Sequence, residues 1–252
     1  MNTDQMIAEA ERQCRTAFNK IEQISRITTE RVLRAFQTHR ISARHFAPTE
    51  GYGYDDVGRD ALDAVFADSL CAEDAIVRPQ IANGTHAIFL ALAGVLEPGD
   101  RILSLTGTPY DTLESAIGLN GNLPNALTRF QIRFTSISLI DSEIDYNKAG
   151  EQLKNDPSVR MVYLQRSRGY AWRNALSITD IQKAIRFVKE ICPDVIVIVD
   201  NCYGEFTEDK EPTSVGADLI AGSLIKNCGG GIAPTGGYIA GRKDLIKAVS
   251  YR

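Results

Sequence analysis

The chain has 252 residues, of which 44% are hydrophobic and 24% charged, a balance too apolar for a disordered chain and long enough to bury one large core. Its 28 basic residues are interleaved with 32 acidic ones for a net charge of -4, so no basic field draws in nucleic acid. No apolar run reaches membrane length, the polar N-terminus has no apolar signal core, and the cysteines lack disulfide or zinc spacing, which together suit a cytoplasmic protein with reduced thiols.

The cysteines are Cys14, Cys71, Cys192, Cys202 and Cys228, and the histidines His39, His45 and His86 are as scattered, so no metal site is expected. From residue 3 to about 25, Ile7, Ala10, Cys14, Phe18, Ile21 and Ile24 recur every three or four positions and predict an amphipathic helix. Thr29 then opens a second helix carrying Val32, Leu33 and Phe36. No strand precedes these helices, so residues 1–50 read as a helical arm that either covers the domain or packs on a second subunit. Residues 46–59 are rich in glycine and tyrosine without periodicity, the mark of a long aromatic loop of the kind that carries function.

A helix over about 59–70 and a short extended piece at 75–79 follow. Asn83-Gly84-Thr85 then stands directly before an apolar helix at 87–93. Asn or Thr at that position is either a plain helix cap or part of a turn whose free N–H groups, aided by the helix dipole, hold a phosphate. Beyond the turn at 97–100, strands at 101–105, 132–139, 159–165 and 195–199 alternate with helices at 112–119, 146–154 and 178–191. That order predicts one α/β domain over 51–252, with a mostly parallel central sheet covered by helices on both faces.

The apolar runs ending at Asp200 and before Lys226 are too short for globular helices and suit parallel strands buried on both faces. Ligands of open α/β sheets sit beyond the carboxyl ends of the strands, so the two charged residues reach one crevice from neighbouring strands. Taken singly, Asp200 is an ordinary turn cap and Lys226 an ordinary solvated lysine. Taken together they suit pyridoxal phosphate, whose aldehyde forms a Schiff base with an amine and whose ring nitrogen pairs with a carboxylate. Glycines at 229–231 and 236–237 permit close backbone approach before a last strand.

With Ser223 three residues before the lysine, this segment resembles that of fold-type I pyridoxal-phosphate enzymes. Gly51-Tyr52-Gly53-Tyr54-Asp55-Asp56-Val57-Gly58-Arg59-Asp60, Asn83-Gly84-Thr85-His86-Ala87, Gly107-Thr108-Pro109-Tyr110-Asp111-Thr112, Gln165-Arg166-Ser167-Arg168-Gly169-Tyr170 and Asp200-Asn201-Cys202-Tyr203-Gly204-Glu205-Phe206 narrow the likeness. Together they resemble the methionine γ-lyase-like family, often called aluminium resistance proteins, over nearly the whole chain.

The resemblance implies a fold-type I large domain and a lyase that cleaves the carbon–sulfur bond of a sulfur-containing amino acid by β- or γ-elimination. It assigns Lys226 to the Schiff base and to proton shuttling at Cα, with a depressed amine pKa. Asp200 is assigned to the ring nitrogen, with a lowered pKa of its own. Gly84, Thr85 and Ser223 fall to the phosphate, and Tyr110 to stacking on the ring. Tyr52, Tyr54 and Arg59 fall on a loop that reaches a neighbouring subunit's cofactor, which implies a homodimer or homotetramer. Arg166, Arg168 and Tyr170 are left to cofactor oxygens or a substrate carboxylate. The family continues into a small C-terminal domain supplying an arginine for the substrate carboxylate, and a chain stopping at Arg252 is expected to lack it. The alternatives are another reaction on the same fold, such as group transfer, and a truncated non-catalytic remnant that dimerises and binds the cofactor.

Overall fold

The computed structural model describes residues 2–49, 56–121 and 123–252. The glycine-tyrosine stretch at 51–55, with Tyr52 and Tyr54, lies outside the described residues. Among the described residues seven strands form one sheet: β1 (Asp74–Arg78), β2 (Arg101–Ser104), β3 (Arg133–Ser136), β4 (Val159–Gln165), β5 (Ile196–Asp200), β6 (Leu219–Ser223) and β7 (Gly237–Gly241). Their spatial order is β1-β7-β6-β5-β4-β2-β3. The pairs from β6 through β5, β4 and β2 to β3 are parallel, whereas β7 runs antiparallel to both β6 and β1. This is the mostly parallel sheet that the alternation of apolar runs predicts.

The strands alternate their side chains between two cores because successive residues point to opposite faces. On β5, Val197 and Val199 join one core while Ile196 and Ile198 join the other, and on β4 Val162 and Leu164 are divided from Met161 and Tyr163 in the same way. The first core is covered by α2 (Val57–Ser69), α5 (Tyr146–Asn155) and α6 (Ile178–Ile191), the second by α3 (Gly84–Val95), α4 (Asp111–Ile117) and α7 (Lys243–Val249). Burial on both faces is why these strands read as continuous apolar runs.

The N-terminal region departs from the expected pair of helices. Thr3–Thr38 is a single helix, α1, of 36 residues. Thr29 does not cap a new helix, because no Gly or Pro interrupts the segment and the neighbouring Thr28 hydroxyl donates back to the Ile24 carbonyl at 3.0 Å, satisfying itself inside the helix. The second half of α1 seats on the domain through buried Thr28 and Ala35, and His39 at its C-cap shares a hydrogen bond with Asp68 on α2, 2.8 Å apart. The first half stands clear, with Met6, Ile7, Phe18 and Ile21 exposed. Nearer the domain, α2 starts at Val57, two residues earlier than expected, because Asp56 caps it by accepting from the Arg59 N–H at 3.1 Å.

Arg31 is the polar anchor of α1. Its guanidinium donates to the Asp209 carbonyl at 2.9 Å and lies 3.3 Å from the fully buried Glu211 carboxylate. Replacing Arg31 by Ala leaves that carboxylate short of a cation in a dry site, a loss expected to lower unfolding stability by about 1–3 kcal/mol. Urea unfolding of Arg31→Ala beside wild type measures it, and an unchanged midpoint would contradict the anchoring role.

Candidate active site

Asp200 ends β5 and Ser223 ends β6, adjacent parallel strands, and Lys226 follows three residues later. A cleft of about 500 Å³ opens at this end of the sheet. Asp200, Ser223, Lys226, Gly84, Thr85, Tyr110 and Tyr170 all line it. The structure thus gathers seven of the residues picked out from the sequence. Their placement follows from strand parity and helix docking: Asp200 continues the Ile196–Ile198 series facing the α3 side, and α3 aims its N-terminus at the same cleft.

Asp200 is 1% exposed. One carboxylate oxygen accepts from the Cys202 N–H at 3.1 Å, and the other accepts from the Tyr163 hydroxyl at 3.3 Å. Burial raises its pKa even though these bonds and the Lys226 ammonium pull the other way. Desolvation exceeds what the partners within the chain return; the lowering expected of Asp200 is tied to a ring cation placed against it. Burial, with Asp200 beside it, holds the Tyr163 phenol far above its ordinary pKa, so Tyr163 remains a donor.

Lys226 departs from expectation. Its Nζ lies 4.3 Å from the centre of the Tyr203 ring, a cation–π contact. Burial acts to lower its pKa, but the Cys202 sulfur, the Asp200 carboxylate and Tyr203 outweigh it, so the amine is held above its ordinary value and charged rather than depressed. Cys202 is itself pushed well above the usual thiol range by burial and Asp200, which keeps the thiol protonated.

The turn before α3 is built for close approach. Asn83 is the cap, its side-chain oxygen accepting from the His86 N–H at 2.9 Å, which leaves Thr85 free of capping. The Thr85 hydroxyl donates instead to the Tyr110 hydroxyl at 3.3 Å and shares a hydrogen bond with Thr112 at 3.0 Å. A Cβ on Gly84 would lie 2.9 Å from the Cys202 sulfur and 3.7 Å from Lys226 Nζ, so only glycine fits between helix and cleft. Ser223 Oγ is buried without a partner among the described residues, an orphan hydroxyl on the wall of an open cleft. Burial, followed by the Asp200 charge, raises the Tyr110 phenol far above its usual range and keeps it neutral.

Other candidates are placed differently. Arg166 is 3% exposed and is not brought to the Lys226 cleft. It donates to Asn201 Oδ1 and to the Gly204 carbonyl, each at 2.8 Å, and pairs with Glu208 at 2.8 Å, bracing the turn after Asp200. Arg168 stacks its guanidinium 5.5 Å from the Trp172 ring and lines an extension of the cleft that shares Tyr110, Asp111 and Tyr170. Arg59 pairs with Asp56 at 3.1 Å and does not line this cleft.

Cys202, Tyr203 and Tyr163 belong to the site and carry no role in the sequence-based reading. Parity offered a signal for two of them. Cys202 is two residues past Asp200, and Tyr163 stands opposite Ile198, itself two before Asp200. Tyr203 gave none, because it reaches Lys226 through a left-handed backbone conformation with φ of 67°.

A family model described as methionine gamma-lyase matches residues 3–252. The uncharacterized protein YnbB of Bacillus subtilis is 51% identical over 235 residues, covering 92% of this chain and 55% of that protein. The crystal structure of a carbon-sulfur lyase involved in aluminum resistance from Clostridium novyi NT superposes with a TM-score of 0.93 at 48% identity, covering 98% of this chain and 59% of that one. At 17% identity the pyridoxal-5'-phosphate dependent protein YhfS of Escherichia coli shares the fold, with a TM-score of 0.67 over 92% of this chain and 58% of that one. The chain spans about half the length of the curated relatives it matches.

An orphan hydroxyl that serves a ligand is distinguishable from one that serves the fold. Because Ser223 Oγ bonds to no other described residue, Ser223→Ala is expected to leave the urea unfolding midpoint unchanged or slightly raised. The same change is expected to weaken binding of a phosphate-bearing ligand in this cleft about tenfold, the worth of one hydrogen bond to a charged group. Equilibrium binding measured beside unfolding separates the two, and a destabilised variant with unchanged affinity would assign Ser223 to the fold.

Proposed function

The chain belongs to the methionine gamma-lyase family, and from that membership we propose that it holds pyridoxal phosphate and cleaves the carbon–sulfur bond of a sulfur-containing amino acid. The observation that carries this reading is the meeting of Lys226, Asp200 and the partnerless Ser223 hydroxyl in one cleft at the carboxyl ends of β5 and β6. The residues fit the cofactor. Gly84 leaves a cradle that a Cβ would fill, and Ser223 and Thr85 offer hydroxyls to a phosphate. Asp200 offers a buried acid to a ring N–H, and Tyr110 a ring on the cleft wall. Bound there, pyridoxal phosphate supplies an aldehyde that condenses with amines and a ring that takes up the electron pair left when a proton departs from Cα.

The chain's own groups do the rest. Asp200 is costly as a lone buried carboxylate and so favours any cation placed against it. Once Asp200 is engaged in that way its pull on Lys226 weakens, and the amine gives up its proton more readily. The neutral Nζ is then the base that takes the proton from Cα, and the ammonium so formed is the acid that returns one. Cys202 and Tyr163 remain protonated beside Asp200, donating rather than competing for the cation. Arg168 and Tyr170 line the mouth and its extension and are assigned to a substrate carboxylate. The choice of carbon–sulfur cleavage over other reactions rests on the 48% identity to the Clostridium novyi lyase.

A second copy of the chain completes the proposal. The free half of α1 presents Met6, Ile7, Phe18 and Ile21, and Ile225 and Tyr203 are exposed at the cleft mouth, so a two-fold partner would cover apolar surface at both places. Arg59, away from its own cleft, is then assigned to the partner's cofactor phosphate.

Mixed with pyridoxal phosphate, the wild-type chain is expected to develop a visible absorbance band that Lys226→Ala lacks, and a band that persists in the variant would remove Lys226 from the reading. Incubation with cystathionine, cysteine and methionine in turn is expected to release pyruvate for β-elimination or 2-oxobutyrate for γ-elimination. Failure to release either from all three argues for another reaction. For the shared site, co-expression of Lys226→Ala with Arg59→Ala is expected to restore part of the activity that each lacks alone, since a hybrid dimer keeps one site with both residues. No recovery despite proven subunit exchange would confine both residues to one site or exclude Arg59.

A further inference from the structure

Behind the cleft, the turn that follows Asp200 carries a buried acid that the proposed chemistry does not use. Glu205 is 1% exposed. Its Oε1 accepts from the Tyr238 hydroxyl at 2.8 Å, and its Oε2 is buried without a partner among the described residues. Tyr238 stands opposite Gly222 in the register of β6 and β7. A Cβ on Gly222 would come within 2.5 Å of both Glu205 Oε1 and Tyr238 Cε1, so carboxyl and phenol fill the space that a side chain of β6 would take. The main-chain carbonyl of Glu205 accepts from Asn227 Nδ2 at 3.0 Å. Glu205 therefore touches the lysine-bearing segment on both sides of Lys226, with its carboxyl against Gly222 and its carbonyl against Asn227. The turn itself is stiff: Tyr203 and Phe206 sit at φ of 67° and 61°, and Arg166 holds the Gly204 carbonyl at 2.8 Å.

We propose that Glu205 is a positioning residue for Lys226, fixing residues 222–227 while its carboxyl is neutral and loosening them when it is charged. The groups around it explain why it is the acid that keeps a proton. Asp200, Cys202 and Glu211 face it from its own turn and the return of that turn, Tyr238 from β7, and Cys228 from the lysine loop. The two guanidiniums of the region serve Glu211 instead, Arg31 of α1 at 3.3 Å and Arg166 at 3.9 Å. Glu211 also accepts from the Phe206 N–H at 2.9 Å and from Asn201 Nδ2 at 3.3 Å. Burial raises both acids, but at Glu211 the Phe206 N–H, Arg166, Asn201 and Arg31 pull back towards the charged form, whereas Glu205 has no cation beside it among the described residues to do so. Burial above all, with Glu211 and Asp200 adding to it, pushes the Glu205 carboxyl up to about 7. An acid whose folded pKa exceeds its ordinary 4.5 contributes its full stability below pH 4.5 and loses it as the pH climbs to about 7.

That Lys226 is the reacting amine rests on the function proposed above, whereas the coupling of Glu205 to its segment is tested without cofactor. Hydrogen exchange of the peptide spanning 222–227 is followed by mass spectrometry from pH 5 to pH 8 in the purified 252-residue chain, and each rate is divided by the intrinsic rate at that pH. The corrected exchange of wild type is expected to rise by up to about tenfold per pH unit towards pH 7 and then level off. In Glu205→Gln, which keeps the shape and cannot ionise, it is expected to stay flat. Tyr238→Phe is run alongside: it keeps the acid and removes the phenol that favours the charged form, so levelling moves to higher pH. A flat wild type, an equal rise in Glu205→Gln, or a levelling pH unmoved in Tyr238→Phe overturns the proposal. Loss of the visible band in Lys226→Ala is read separately, so either idea can fail alone.

Discussion

A single buried carboxylate sets the terms for everything near the cleft. Asp200 sits in the dry end of the sheet, where an isolated charge costs several kcal/mol, and the chain returns only part of that through one backbone N–H and one phenol. The deficit explains its raised pKa, and its charge adds to the burial that keeps Tyr163 and Cys202 protonated beside it. It also explains the pull that keeps Lys226 charged. A site arranged in this way is unbalanced alone and is balanced by a ligand bringing its own cation.

A second polar layer lies behind the first and is nearly complete in itself. Arg166 donates to Asn201, Asn201 to Glu211, and Arg31 closes on Glu211 from the N-terminal helix, so the turn after Asp200 is fixed from three separate elements. Such networks confer one conformation on a loop that would otherwise have several, provided each member is satisfied. The turn tolerates two non-glycine residues at positive φ because the network over-determines it.

The sheet, Asp200 at the end of one strand and Lys226 three residues beyond the next were legible because they are written locally. Short apolar runs buried on two faces look unlike helices, and a charge that ends such a run has one place to go in a parallel sheet. The continuity of α1 was not legible: Thr29 has the chemistry of a cap, and whether it acts as one depends on the hydroxyl of Thr28 and on the docking of Ala35 against the domain. Arg166 illustrates a different limit. Its position just past a strand end is the same as that of a cleft residue, and only the direction of its side chain, towards Asn201 and Glu208, makes it a brace. Glu205 was the least legible, since nothing in a sequence says which of several nearby acids, Asp200, Glu205, Glu208 or Glu211, will meet a cation when the chain folds.

The antiparallel strand β7 has a consequence for how the chain assembles. Its partner on the outer side is β1, and Asp74 meets Gly241 across most of the length of the chain. In synthesis β1 therefore appears early and has no sheet partner until β7 has emerged, with a loop-closure entropy to overcome that local pairs do not have. The connection bearing Lys226 joins β6 to β7, so it too is unmade until that last pairing forms. Until β7 emerges the nascent chain carries β1 without a sheet partner, and the lysine takes its place only as that edge is sealed.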